Sequence, residues 1–127
     1  MDPKDLLFVA IGGALGACLR YLVILWCPNG DFPIATLTVN LIGSFSLGVV
    51  FALSSNHLID EKITLLIATG ILGSFTTMST YSVETITLWE KDKLIAFLYI
   101  FITAIIGPLL ALLGMEIINS NIIIKKI

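Results

Sequence analysis

The sequence predicts an all-α membrane protein with four transmembrane helices, the third of them broken midway. Three observations predict it. The first is composition: of 127 residues, 57% are hydrophobic and only 13% are charged. Soluble domains carry roughly 25% charged residues, and a soluble chain this short could not hide so much apolar surface. The second is spacing. Four long apolar runs are joined by short connections, and each run reaches the roughly 20 residues that cross a bilayer core of about 30 Å. The third is a polar interruption. Residues 70–84 read G-I-L-G-S-F-T-T-M-S-T-Y-S-V-E, with two glycines followed by the hydroxyls of Thr76, Thr77, Ser79 and Thr80 inside an apolar run.

The first run, 6–26, is broken only by Arg20. It is too long for a signal-peptide core and lacks a basic leader, so it is expected to stay in the mature protein. The second run, 34–55, is uncharged and holds Asn40. The third, 63–88, carries Glu84 near its end and a predicted break near 74–80. Lipid offers no hydrogen bonds, so irregular backbone at that depth survives only where protein or a watery cavity covers it. The fourth, 94–116, contains Gly107-Pro108. The whole chain, 1–127, reads as one transmembrane domain.

Candidate functional residues lie on all four runs. Gly12 and Gly16 form a G-x-x-x-G pair that suits close helix packing. Arg20 either snorkels to the interface or draws anions toward a vestibule. Asn40 shares a helical face with Gly43, Ser44 and Leu47. Its amide is either interhelical glue or an N–H donor for an anion. Met78 and Tyr81, three apart, project beside the hydroxyl row. Those hydroxyls could merely bond back to their own helix, but four of them after two glycines exceed what a bend requires. Glu84 is the one acid well inside a run, and its place near the end favours a wet location. Tyr99 and Thr103 share a face one turn apart. Tyr99 reads as an interface anchor or as part of a polar track.

Other chemistries find no support. There is no phosphate-binding loop, no nucleophile with a base and no paired carboxylates, so nothing suggests an enzyme. A formal net charge of -2 argues against a nucleic-acid partner. Cys18 and Cys27 would stand about 13 Å apart along a helix, beyond the roughly 7 Å reach of a disulfide. A single histidine and no Cys/His cluster argue against a transition-metal site.

Charge hardly decides orientation. The terminal side collects Lys4, Lys62, Lys125 and Lys126, against Lys91, Lys93 and Arg20 on the other. So slight a bias leaves two readings. The termini face the cytoplasm by a small margin, or the chain inserts both ways and forms antiparallel dimers. A dimer is also the economical arrangement, since one four-helix protomer has little interior to line a pore.

Taken in order, G-G-A-L-G-A-C-L-R-Y, N-L-I-G-S-F-S-L-G and the 70–84 segment resemble the three signatures of the Fluc (CrcB-type) fluoride channels. The resemblance implies an antiparallel dual-topology homodimer with two fluoride pores in the cell membrane, lowering intracellular fluoride by passive export. It implies a structural sodium ion at the dimer axis, held by the backbone carbonyls of Gly73 and Thr76. It implies a fluoride pore of Asn40, Met78, Ser79, Thr80, Tyr81, Tyr99 and Thr103, with Arg20 and Glu84 at the vestibule. The chain departs from the pattern at three places. Met78 replaces an aromatic ring, Tyr81 adds a hydroxyl to one, and Ser74 stands where a second glycine is usual.

Two-gene relatives leave room for one half of a heterodimer. A small dual-topology multidrug exporter is an alternative, though it needs a carboxylate in the first run, where there is none. A non-transporting subunit held by glycine packing alone is another, and it would tolerate aliphatic residues in the hydroxyl row.

Overall fold

Side-chain caps from Asp60, Thr77 and Asp92 start three of the helices, whereas the first two begin at Lys4 and Pro33 without one. The computed structural model describes residues 3–27 and 30–126. Pro28 and Asn29, in the first expected connection, lie outside the described residues, as do the side chains of Lys125 and Lys126. Helix α1 covers Asp5–Trp26 and α2 covers Ile34–Ser55. The end of α2 closes with His57 N–H on the Ser54 carbonyl at 3.0 Å and Leu58 N–H on the Leu53 carbonyl at 2.9 Å. That pair of bonds is the Schellman closure. It places His57 at φ 57°, a left-handed position that glycine usually fills.

Asp60 caps the next helix, its carboxylate accepting from Ile63 N–H at 2.8 Å. Helix α3, Glu61–Thr64, runs into a π-helical stretch, Leu65–Leu72, and then into a short α4, Gly73–Phe75. Thr76 and Thr77 leave helical geometry, with φ/ψ of -74°/157° and -147°/115°. Helix α5 resumes at Met78–Lys91. Asp92 then caps α6, Lys93–Phe101, by accepting from Leu94 and Ile95 N–H. A second π-helical stretch, Ile102–Ile106, leads to α7, Gly107–Lys126. It ends two residues before Pro108, which lacks the N–H that a regular turn would donate.

Among the described residues, four helical units are long and apolar enough to cross a membrane: Asp5–Trp26, Ile34–Ser55, Glu61–Lys91 and Lys93–Ile124. The last continues well beyond residue 116, where the apolar run stops. There Ser120 and Asn121 return hydrogen bonds to the Glu116 and Ile117 carbonyls, and Asn119 accepts from Asn56 at 3.0 Å. Polar side chains therefore extend the helix past the hydrophobic signal.

Small residues set the packing. Helix α1 lies against the first half of the third span, and a Cβ added at Gly16 would strike the Ile71 carbonyl. Helix α2 lies against α7, where a Cβ at Gly48 would strike the Ala111 carbonyl. With so few side chains between them, backbones meet directly. The second half of the third span pairs instead with α6. Its core is Tyr81, Leu88, Ala96 and Tyr99, with Phe32 and Leu37 packed against it. Elsewhere the helices turn Leu, Ile and Phe outward, as an apolar solvent or a partner surface requires.

Candidate functional site

The break at Thr76–Thr77 falls at the centre of the third span. Its backbone groups are met by side chains from two other helices. Asn40 of α2 accepts from Thr77 N–H at 2.8 Å and donates its Nδ2 to the Thr77 carbonyl at 3.1 Å. The amide oxygen thus replaces the bond that Thr77 N–H would have made in an unbroken helix, and the amide N–H adds a second donor at the Thr77 carbonyl, which as the N-cap carbonyl already opens the α5 ladder. Arg20 of α1 donates Nη1 to the Thr76 carbonyl at 3.4 Å. Thr76 N–H still reaches the Leu72 carbonyl at 3.1 Å.

Thr77 also starts the second half. Its hydroxyl accepts from Thr80 N–H at 3.3 Å, which makes it the N-cap of α5. The same hydroxyl donates to Thr80 Oγ1 at 3.0 Å and lies 3.4 Å from Ser79 Oγ. So Thr76 closes one helix and Thr77 begins the next. The interruption is narrower than residues 74–80: Met78, Ser79 and Thr80 already form the first turn of α5.

Beside the break runs an open groove of about 290 Å³. Asn40, Ser44, Gly73, Thr76, Thr77 and Thr103 line it, with Met78 at its edge. Met78 is 72% exposed, and Ser79 and Thr80 are exposed as well. Thr103 Oγ1 is buried, and among the described residues no hydrogen bond reaches it. It belongs to the π-helical stretch of the fourth span. Gly73 leaves this wall open, since an added Cβ would meet only the Ala68 carbonyl, at 3.6 Å.

A second polar group lies on the other side of α5. Tyr99, fully buried, donates its hydroxyl to Glu84 Oε2 at 2.8 Å. Thr36, also buried, donates to Glu84 Oε1 at 2.8 Å. The Tyr81 ring packs on the Tyr99 ring at 5.1 Å between centroids, and Phe32 meets it edge-on at 5.6 Å. Glu84 also borders an outer cleft of about 270 Å³ with Asp31, Thr87 and Lys91. Lys91 bridges to Asp31 at 3.0 Å across that cleft.

The structure therefore sorts the sequence-derived residues into two groups. Asn40, Met78 and Thr103 meet at the groove, together with Gly73 and Thr76. Tyr81, Glu84 and Tyr99 meet on the inner side of α5. Met78 and Tyr81, although three apart, do not share a surface. Arg20 reaches the break, while Glu84 stands at the outer cleft. Tyr99 is no interface anchor, because its ring and hydroxyl are enclosed. Glu84 is half-buried and doubly hydrogen-bonded rather than freely wetted. Thr36 was not singled out from the sequence. The available signal was its position one turn before Asn40 on the same face of α2.

A family model described as CrcB-like protein, Camphor Resistance (CrcB), matches residues 7–115. The chain belongs to the CrcB-like family. Three of its curated relatives carry the same printed function. The "Fluoride-specific ion channel FluC" of Oceanobacillus iheyensis is 41% identical over 116 residues, covering 89% of this chain and 90% of the relative. "Fluoride-specific ion channel FluC 2" of Bacillus subtilis is 47% identical, covering 84% and 81%. "Fluoride-specific ion channel FluC 1" of Methanosarcina acetivorans is 46% identical over 92 residues, 70% of each chain. Like the family, the chain is a multi-pass membrane protein.

Proposed function

We propose that this chain is a passive fluoride-selective channel of the cell membrane that lets cytoplasmic fluoride leave and so lowers its internal concentration. The observation that carries this reading is the Thr76–Thr77 break, with its backbone clamped by Asn40, beside an open groove. Fluoride is small and strongly hydrated, so a path for it must replace water with compact donors. Hydroxyls and an amide N–H are such donors. Asn40 spends one N–H on Thr77 and keeps the other. Thr103 offers a hydroxyl with no partner among the described residues, and Ser79 and Thr80 stand at the start of α5. Met78 supplies a polarizable thioether where a ring edge would otherwise face the ion. Conduction needs each contact weak enough to release the ion.

The break lies midway through the membrane in this reading, and the exposed groove is completed by a second, antiparallel copy. The carbonyls of Gly73 and Thr76 would hold a structural sodium ion between the copies. The residues fit such a group: both line the groove wall, both offer hard oxygen, and no side chain fills the space over Gly73. A cation there lowers the cost of an anion at mid-membrane. Thr76 shares its carbonyl with Arg20, whose fixed charge acts in the same direction. At the outer end, Glu84 and the Asp31–Lys91 pair form the vestibule side.

Liposomes carrying the pure protein are expected to release fluoride to an ion-selective electrode and to retain chloride. Equal release of both ions, or of neither, would overturn the reading. The paired names FluC 1 and FluC 2 among relatives support one variant, in which this chain pairs with a paralogous subunit. Flux that appears only on co-reconstitution with that paralogue would select it.

A further inference from the structure

We infer that the cleft between the start of α2 and the α5–α6 turn is a lipid-headgroup site, fitted to a phospholipid that carries a primary amine, such as phosphatidylethanolamine. The inference goes beyond the channel reading and stands without it. The cleft measures about 370 Å³, within the range of small-ligand sites. Its lining divides by chemistry. Phe32, Leu88 and Ile95 make an apolar wall, and Asp31, Lys91 and Asp92 make a charged rim. The wall is firm: Leu88 is buried, and the Phe32 ring packs edge-on against Tyr99 at 5.6 Å between centroids.

Its level in the bilayer is that of a headgroup. Trp26 and Trp89, both exposed, close the first and third spans on this side, where aromatic anchors mark the interface. The fourth span starts at Lys93, beside the cleft. From Ile95 the exposed Leu98 continues the same face of α6 toward the hydrocarbon, a track for an acyl chain. The rim decides which head fits. Asp31 and Lys91 hold each other at 3.0 Å with side chains 93% and 59% exposed, and so open a pair is weakly held and readily exchanged. Asp92 spends Oδ1 on the Leu94 and Ile95 N–H groups, and its second oxygen is not used there. Lys93 leans over the Trp89 ring, its Nζ 5.8 Å from the centroid. The rim therefore holds two carboxylates against the single ammonium of Lys91. A zwitterionic head trades the one ion pair for two: its phosphate takes Lys91, and its ammonium donates to Asp31 and Asp92. A choline head has no N–H to donate, and a glycerol head brings an uncompensated negative charge to two carboxylates.

The test is lipid binding by the full-length protein in detergent, followed by native mass spectrometry. The probes are phosphatidylethanolamine, phosphatidylcholine and phosphatidylglycerol with identical acyl chains. Phosphatidylethanolamine is expected to bind tightest, roughly tenfold above phosphatidylcholine, the factor carried by one hydrogen bond to a charged group. Asp31→Asn combined with Asp92→Asn removes both negative charges, while asparagine still caps α6. That pair is expected to erase the margin and to admit phosphatidylglycerol. Lys91→Gln removes the phosphate partner, so it is expected to weaken the ethanolamine and choline lipids alike and keep their ratio. Melting without added lipid should be unchanged in both variants, which separates a lost site from a lost fold. Equal binding of the three lipids, a preference for phosphatidylglycerol, or a margin that survives the paired asparagines would overturn the inference. No fluoride is present in these measurements, so their outcome is independent of whether vesicles release it.

Discussion

The two halves of the third span are held by opposite means. Before the break, its backbone touches α1 almost bare, with Gly12 and Gly16 set against Leu66, Gly70 and Ile71. After the break, α5 is held by side-chain hydrogen bonds and rings: Thr36, Asn40, Tyr81, Glu84 and Tyr99. The first half is steric and tolerates nothing larger. The second is polar and tolerates nothing that lacks a donor or acceptor. Shape therefore anchors one end of the span, and chemistry is left free to operate at the other.

Exchanging one kind of support for the other should break that contrast most severely at the clamp. Asn40→Leu keeps the volume but strands Thr77 N–H, while the Thr77 carbonyl keeps its place in the α5 ladder. The stranded donor costs about 1–3 kcal/mol, so thermal unfolding in detergent should come several degrees lower and fluoride efflux should vanish. Gly16→Val tests the steric half. Its side chain meets the Ile71 backbone, and overpacking costs about 1–3 kcal/mol. Lower melting without a change in ion selectivity is the expected result, whereas a selectivity change would show that the halves are not separable. Thr77→Val removes the cap of α5, a loss of about 0.5–2 kcal/mol. It should fray the first turn, measurable as faster amide exchange at Met78 to Thr80. Lys91→Gln, at an exposed ion pair, should leave melting unchanged. A large drop there would move part of the support out to the cleft.

The four spans were legible because length and apolar content alone decide them. The interruption was legible because Gly70, Gly73 and the Thr76–Thr80 hydroxyls contradict an apolar helix locally. Its narrowness was not. Thr77 caps α5 at once, and that depends on Asn40 arriving from another helix. The division of Met78 from Tyr81 was equally hidden. Three positions on a regular helix are near neighbours, yet here one side chain lies at an exposed edge and the other in a core. Glu84 looked wet because the sequence shows how near it stands to a helix end, but not which hydroxyls face it. The π-helical stretches gave no signal beyond Pro108. The tail of α7 carried none, since its support, Asn56, is sixty-three residues away in the chain.

Asn40 grips Thr77 by both its amide hydrogen and its carbonyl oxygen. Swivelling α5 about that point would rupture both links together. The discontinuity in the third span is accordingly a welded elbow, not a hinge, and α2 must travel with α5 in any motion. A conduit built around such an elbow discriminates by standing geometry and leaves small side-chain swings as its moving parts.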